Sequence, residues 1–484
     1  MTRNDSLSLA LTLSGFALVS GCTVTTSDHG TGGSSAVGGS SAVGGSSAVG
    51  GSSAVGGSSA VGGSSAVGGS SNAAGASTVG GSSTAAGASS TGGTSTVGGS
   101  STAGGTSTVG GSSATGCTET PKFSGGDVMS NLTLTRACSP YTISDNIYVD
   151  GNATLTIEPG VTLKFDADVG LRLGYNGSAK LVAIGTAAAP IVFTSAVSTP
   201  AAGDWSGIAL WSSTMGGTAI AYANLQYCGQ SGGACIIGTD VKPNRVSFDH
   251  VTVSHVGAGA NGIQENNDAN FAISNCTFSN IPTAPTLNYA ISVPAPSFVG
   301  IDSTNVFNGG AMIELTGDTV STTTTWKNVG TPVAVTSSLY LDGAPAPVLT
   351  IAAGSTFNFA DDTEFSIGYN RGGNLKVNGT QTAPVTFTSL DTSPAPGAWM
   401  GITVWDKATL LYTLISYGGS TDGNVTVEDD SSVLDIENST LSNSLGYGIS
   451  VGCGSTATVT NLNNTFSDNL LGNVGPGPAG VDCQ

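Results

Sequence analysis

Beyond residue 117 the chain runs in short apolar segments set between Gly, Asn and Pro turns. Leu155-Thr156-Ile157, Leu163-Lys164-Phe165, Leu171-Arg172-Leu173 and Ile191-Val192-Phe193 are of this kind. Their period of two and their length predict strands with one face buried. No stretch has the period of an amphipathic helix. The intervening segments are too short to hold a crossover helix, so strand must follow strand.

The segments also repeat. IYVDG at 147 to 151 returns as LYLDG at 339 to 343, and LTIEPGVTLKF at 155 to 165 as LTIAAGSTFNF at 349 to 359. LRLGYN at 171 to 176 returns as FSIGYN at 365 to 370, APIVFTS at 189 to 195 as APVTFTS at 383 to 389, and DWSGIALW at 204 to 211 as AWMGITVW at 398 to 405. ISNCTFSN at 273 to 280 parallels IENSTLSN at 436 to 443. Self-similarity of this kind, with short turns, predicts a solenoid whose coils stack strand on like strand at about 4.8 Å. Asn275, Asn305, Asn438 and Asn464, each beside apolar residues, are expected to form ladders at the turns. An antiparallel β-sandwich is the rival architecture.

The run LTIEPGVTLKF, a Gly-rich strand, GTAAAPIVFTS and DWSGIAL resembles surface proteins of the right-handed parallel β-helix, or pectin-lyase-like, class. The resemblance covers about 140 to 480, twice over. It implies an all-β, right-handed parallel β-helix solenoid with an internal duplication, a first repeat over 117–333 and a second over 334–484. It implies no activity, because this fold carries lyases, hydrolases, adhesins and passive scaffolds alike.

The other end of the chain reads differently. Leu7 to Val19 form an apolar stretch too short to span a bilayer but suited to a signal peptide. It ends in Val19-Ser20-Gly21-Cys22, which resembles the bacterial lipobox. That resemblance implies a lipoprotein signal peptide over 1–21, a lipidated N-terminus over 22–31, and lipid on Cys22 holding the chain to a membrane. Thr23 stands where an inner-membrane retention Asp would be, which implies the outer membrane or cell surface. An ordinary secretory signal followed by a chance Cys is the alternative. From 32 to 116 the chain is a hexapeptide array, six copies of GGSSAV and then drifting versions. With one Val per hexad as its largest side chain it cannot offset chain entropy, so a disordered Gly/Ser linker is expected. Its typical reach would be roughly 50 Å.

Charge narrows the partners. Twelve Lys and Arg face 31 acidic residues, a formal balance of −19. Nucleic acid needs a basic footprint, and none exists. A deep cleft for polyuronates would also need cations. Surface or extracellular polysaccharide and other cells remain as partners, besides the membrane at Cys22. Of eight cysteines, Cys117 with Cys138, Cys228 with Cys235, and Cys453 with Cys483 are the expected disulfides of an oxidising compartment, and Cys276 is left over and buried. A metal site is the rival use, against which the spacing matches no zinc signature.

Candidate chemistry is sparse. Of the Arg residues in the body (Arg136, Arg172, Arg245, Arg371), none sits in the Arg-Pro or Arg-x-Pro setting of pectate-lyase-like enzymes, and the polygalacturonase-like set is missing. The best catalytic constellation is Asp249-His250 with His255 and the GIQENND loop carrying Glu265 and Asp268, where a His could act as base oriented by a carboxylate. The separation of five between His250 and His255 predicts opposite faces of one strand. The acidic turns, including Asp166, Asp168, Asp361, Asp362 and Glu364, could hold a structural calcium ion, and no other cofactor is expected. Trp205 and Trp399, with Trp211 and Trp405, hold equivalent places in the two repeats, which favours packing over sugar stacking. Two functions follow: a non-catalytic surface β-helix for adhesion, matrix or glycan binding, or a cell-attached polysaccharide lyase or glycoside hydrolase.

Overall fold

A computed structural model of the chain describes residues 117–118 and 122–476, apart from 231–232, 268, 283–287, 421 and 453–454. The expected signal peptide, lipidated Cys22 and linker, Asp268, and the expected Cys453–Cys483 disulfide therefore lie outside the described residues. The body is a parallel β-solenoid: among the described residues its strands form sheets of 14, 11, 7 and 6 members, every pairing between named strands parallel.

Alternation along each strand sends every second side chain inward, and stacking puts like on like. In the 14-stranded sheet Ile147 lies beside Leu171, then Ile208, Ile236, Ile263, Ile291, Ile313, Val333, Phe357 and Phe387. Each of these is at most 2% exposed. Burying one such side chain contributes about 1.5–3 kcal/mol, so the interior column drives the stacking. Aromatic residues continue it at the interior corners: Phe165 stacks on Trp205 at 4.2 Å between ring centroids, and its counterpart Phe359 on Trp399 at 4.3 Å. The indole Nε1 groups donate to the carbonyls of Gln226 and Ser416, so both buried tryptophans are satisfied in the same way. As expected, Trp205 and Trp399 serve packing.

The expected disulfides Cys117–Cys138 and Cys228–Cys235 form, and Cys276 is a buried free thiol. The 3-10 turn Ala295–Gly300 feeds Phe298 into the core, where it packs edge-on against Trp326 at 5.1 Å.

The two repeats are not aligned face to face. In the first, Ile147–Val149, Gly170–Leu173 and Gly207–Leu210 belong to the 14-stranded sheet. Their copies Leu339–Leu341, Glu364–Ile367 and Gly401–Val404 belong to the 7-stranded sheet. The 14-stranded sheet is continued in the second repeat by Thr356–Phe359 and Val385–Ser389, copies of Thr162–Phe165 and Ile191–Ser195. The cause is local. Ile313–Leu315 adds one strand to the 14-stranded sheet, and Gly317, at φ 94, turns the chain onto the next face, where Asp318–Val320 stacks against Leu339–Leu341. Stacking in the pattern of the second repeat therefore begins at Asp318. These three-residue strands carry too little sequence to be read as copies.

Candidate functional site

Several coils turn at residues held in the left-handed region, in pairs five apart: Tyr222 and Tyr227, His250 and His255, Asn275 and Asn280, then Tyr412 and Tyr417, Asn438 and Asn443. Asn and Asp tolerate this conformation readily, and Tyr and His adopt it at a cost. His250 interrupts the alternation of its strand: Phe248 and Asp249 lie in one phase, and Val251 resumes the inward position directly after it. The odd separation therefore does not place His250 and His255 on opposite faces. Both project from corners, His250 stacked on Tyr222 at 4.3 Å and His255 on Tyr227 at 4.7 Å.

Among its described members, Asp249, His250, His255 and Glu265, the catalytic constellation does not assemble. His250 Nδ1 meets Asp249 Oδ2 at 3.0 Å, with both side chains more than two-fifths exposed. Burial raises the Asp249 pKa, but hydrogen bonds from Asn275, His250 and Ser274 outweigh it and hold the carboxyl below its ordinary range. Glu265 is elsewhere. It ends the strand Asn261–Glu265 of the 14-stranded sheet rather than sitting in the loop, and it is 2% exposed. Its two oxygens accept the amides of Phe271 and Asn270, each at 2.9 Å. It is the anchor of the following turn.

The remaining acidic candidates are also apart. Asp361 and Asp362 sit on an exposed turn, with Asp362 in the left-handed region, whereas Glu364 lies half-buried on a strand and accepts from Thr403 at 3.4 Å. Among the described residues no three His, Cys, Asp or Glu side chains gather closely enough to hold a metal ion. A shallow groove of about 410 Å³ runs beside the Asn266-Asn267 turn, lined by Asp240, Lys242 and Asp318.

The expected asparagine ladders do not form: in register Asn305 lies beside Cys276 and Asn464 beside Ser439, so none of the four asparagines stacks on another, and they serve the turns in two ways. Asn275 and Asn438 are outward corners. Asn305 and Asn464 point the other way: their Oδ1 atoms accept the amides of Cys276 at 2.8 Å and Ser439 at 2.7 Å, one coil back. Their Nδ2 groups donate to the carbonyls of Ile273 and Ile436. Each ties two coils together.

What both repeats present outward is aromatic. Tyr175 is 58% exposed and meets half-buried Trp211 edge-on at 5.2 Å, and Tyr369 is 59% exposed and stacks with half-buried Trp405 at 5.1 Å. Each tyrosine follows a glycine with positive φ, Gly174 and Gly368, where a Cβ would run into Thr214 N at 2.8 Å or Asp406 Cβ at 2.5 Å. The loop beyond is clamped by the aspartate of the preceding coil. Asp150 Oδ1 accepts the amides of Asn176 and Gly177 at 2.9 and 3.0 Å, and Asp342 Oδ1 those of Asn370, Arg371 and Gly372 at 2.7–3.2 Å. The sequence motifs IYVDG and LRLGYN contain this device, but nothing in a strand-and-turn pattern says which aromatic stays in solvent. Trp211 and Trp405, expected to pack, do so on one side only.

A 74-residue stretch of the chain is 43% identical to Protein bark beetle of Drosophila melanogaster. That stretch is 15% of this chain, and the chain spans about 2% of the length of that relative. No solved structure matches. The family description "Pectate-lyase like beta helix domain" matches residues 126–282 and again 319–434, more than half of the chain, and the break between them falls where the extra strand turns the second repeat. By that match and by its parallel solenoid, the chain belongs to the pectate-lyase-like β-helix domain family.

Proposed function

We propose that the protein is a surface lipoprotein, anchored through Cys22 at the outer membrane or cell surface, whose β-helix is a non-catalytic body for adhesion, matrix or glycan contact. The observation that carries this reading is the duplicated surface pair, Tyr175 with Trp211 and Tyr369 with Trp405. Rigid amphipathic rings held at low entropic cost serve binding, whereas hydrolysis or β-elimination needs acid–base groups converging on one bond. Here Glu265 is committed to backbone amides and His250 stands at a corner with Asp249. The linker would carry the body clear of its own surface.

Two measurements test this. Palmitate labelling and membrane association should both disappear in Cys22→Ala; a chain that still fractionates with membranes sinks the anchor. The purified protein should bind cells or polysaccharide saturably and release neither reducing ends nor unsaturated uronate. Release abolished by His250→Ala would establish the lyase or hydrolase reading instead.

A further inference from the structure

The two aromatic pairs are copies of one device, yet the fold does not leave them side by side. Tyr175 and Trp211 directly follow strands of the 14-stranded sheet, Gly170–Leu173 and Gly207–Leu210. Tyr369 and Trp405 directly follow strands of the 7-stranded sheet, Glu364–Ile367 and Gly401–Val404. In the second repeat the chain visits three sheets per coil, the 7-, 6- and 14-stranded ones in that order. The extra strand Ile313–Leu315 has therefore turned the second pair by one face, about a third of a turn. Between the strand before Tyr175 and the coil holding Tyr369 the 14-stranded sheet advances seven strands. At about 4.8 Å per coil this separates the pairs by roughly 35 Å along the axis.

We propose that the protein is a bivalent cross-linker of neutral polysaccharide: each Tyr–Trp pair stacks on the apolar face of a pyranose ring, and their different faces direct them to different polymer chains. This deepens the binding reading above and rests on it. The ligand class follows from charge. A chain of formal net charge −19 repels polyanions and offers few cations to pair their carboxylates, whereas a neutral hexose polymer presents C–H faces to aromatic rings with no electrostatic penalty. Rigidity follows from the Asp150 and Asp342 clamps, which fix both loops before any ligand arrives. The geometry also excludes avidity on a flat surface. Two sites strengthen each other by about 10²–10⁴ only when both can engage one target at once, and sites on different faces cannot.

The test uses the full-length chain in detergent, with dextran, a soluble β-glucan and galactomannan as probes and polygalacturonate as the charged comparison. Wild type should bind at least one neutral polymer when it is immobilised, leave polygalacturonate unbound, and aggregate beads coated with the polymer it binds. Tyr175→Ala and Tyr369→Ala should each reduce binding to the flat surface by no more than about twofold, the statistical loss of one of two independent sites. Each should nevertheless abolish bead aggregation. The double variant should lose both, and Tyr→Phe at both positions should restore both, which separates loss of stacking from loss of fold. Aggregation that survives either single Ala variant overturns the cross-linking role, whether through another site or through self-association. Binding lost in one single variant and untouched in the other leaves a monovalent binder. Binding to none of the neutral polymers, with adhesion to cells retained, overturns the proposed ligand while leaving the surface-binding function; loss of both overturns that function too.

Discussion

Among single residues, the buried polar groups carry the most testable weight. Glu265 holds two amides from the interior, so Glu265→Gln replaces one charge-assisted acceptor by a donor facing an N–H. It should lower stability by about 1–3 kcal/mol without altering any binding; a fully stable variant would contradict the anchoring role. Asn305 makes three hydrogen bonds, to Cys276, Ile273 and Asp302. Asn305→Ala should cost about 3 kcal/mol in chemical denaturation, since buried backbone groups in two coils lose their partner. Cys276 follows from its surroundings: burial pushes its thiol up to about 12. Mass spectrometry of the Cys276 peptide should find it unlabelled by iodoacetamide at pH 8 in the folded chain and labelled after unfolding.

At the scale of the coil, contacts reach only neighbours, so damage should stay local. Trp399 is fully buried, stacks on Phe359 and donates to Ser416. Trp399→Ala should cost about 3–5 kcal/mol, with hydrogen-exchange protection lost around Val385–Ser389 and Thr413–Ser416 but retained at Ile147–Val149 and Gly170–Leu173. Protection lost evenly along the chain would instead indicate one cooperative unit. The element scale is also where sequence patterns were most informative. The strands over 147–211 and 339–405 follow from alternation and duplication, because the interior column accepts only apolar side chains. The His250 corner did not follow. A left-handed residue inside a continuous strand resets the phase of alternation, and no residue type announces that when the position holds Tyr or His.

For the whole molecule, an acidic chain with few cations should respond to pH in a definite sense. Burial pushes Glu364 up from its ordinary 4.5, against the Thr403 hydrogen bond, and burial with the charges of Asp422 and Asp429 pushes Glu428 up. Protonating either group favours the folded state, so stability should rise as pH falls from neutrality through their raised values towards 4.5. Asp302, lowered by its hydrogen bond to Lys327, and Asp249 act in the opposite sense. The stability they contribute is complete above 3.8 and is lost as pH falls through their depressed values. Thermal melts should therefore show a maximum on the acid side of neutral, and the double variant Glu364→Gln, Glu428→Gln should flatten the rise between pH 7 and that maximum. A wild-type melt that only declines from pH 7 downward would contradict this.

The sequence by itself determined the strand content, the parallel stacking, the duplication and the two described disulfides, because each depends on residue pattern or on short separations along the chain. It also placed Trp205 and Trp399 in equivalent interiors. Only the tertiary structure decided that Glu265 faces inward to amides while His250 faces out, because burial depends on which coil lies beside a residue. It alone decided that Tyr175 and Tyr369 remain in solvent beside half-buried tryptophans. The same holds for the turn of the second repeat by one face. A single strand of three residues, Ile313–Leu315, produces it, and its effect is visible only in which sheets the later strands join.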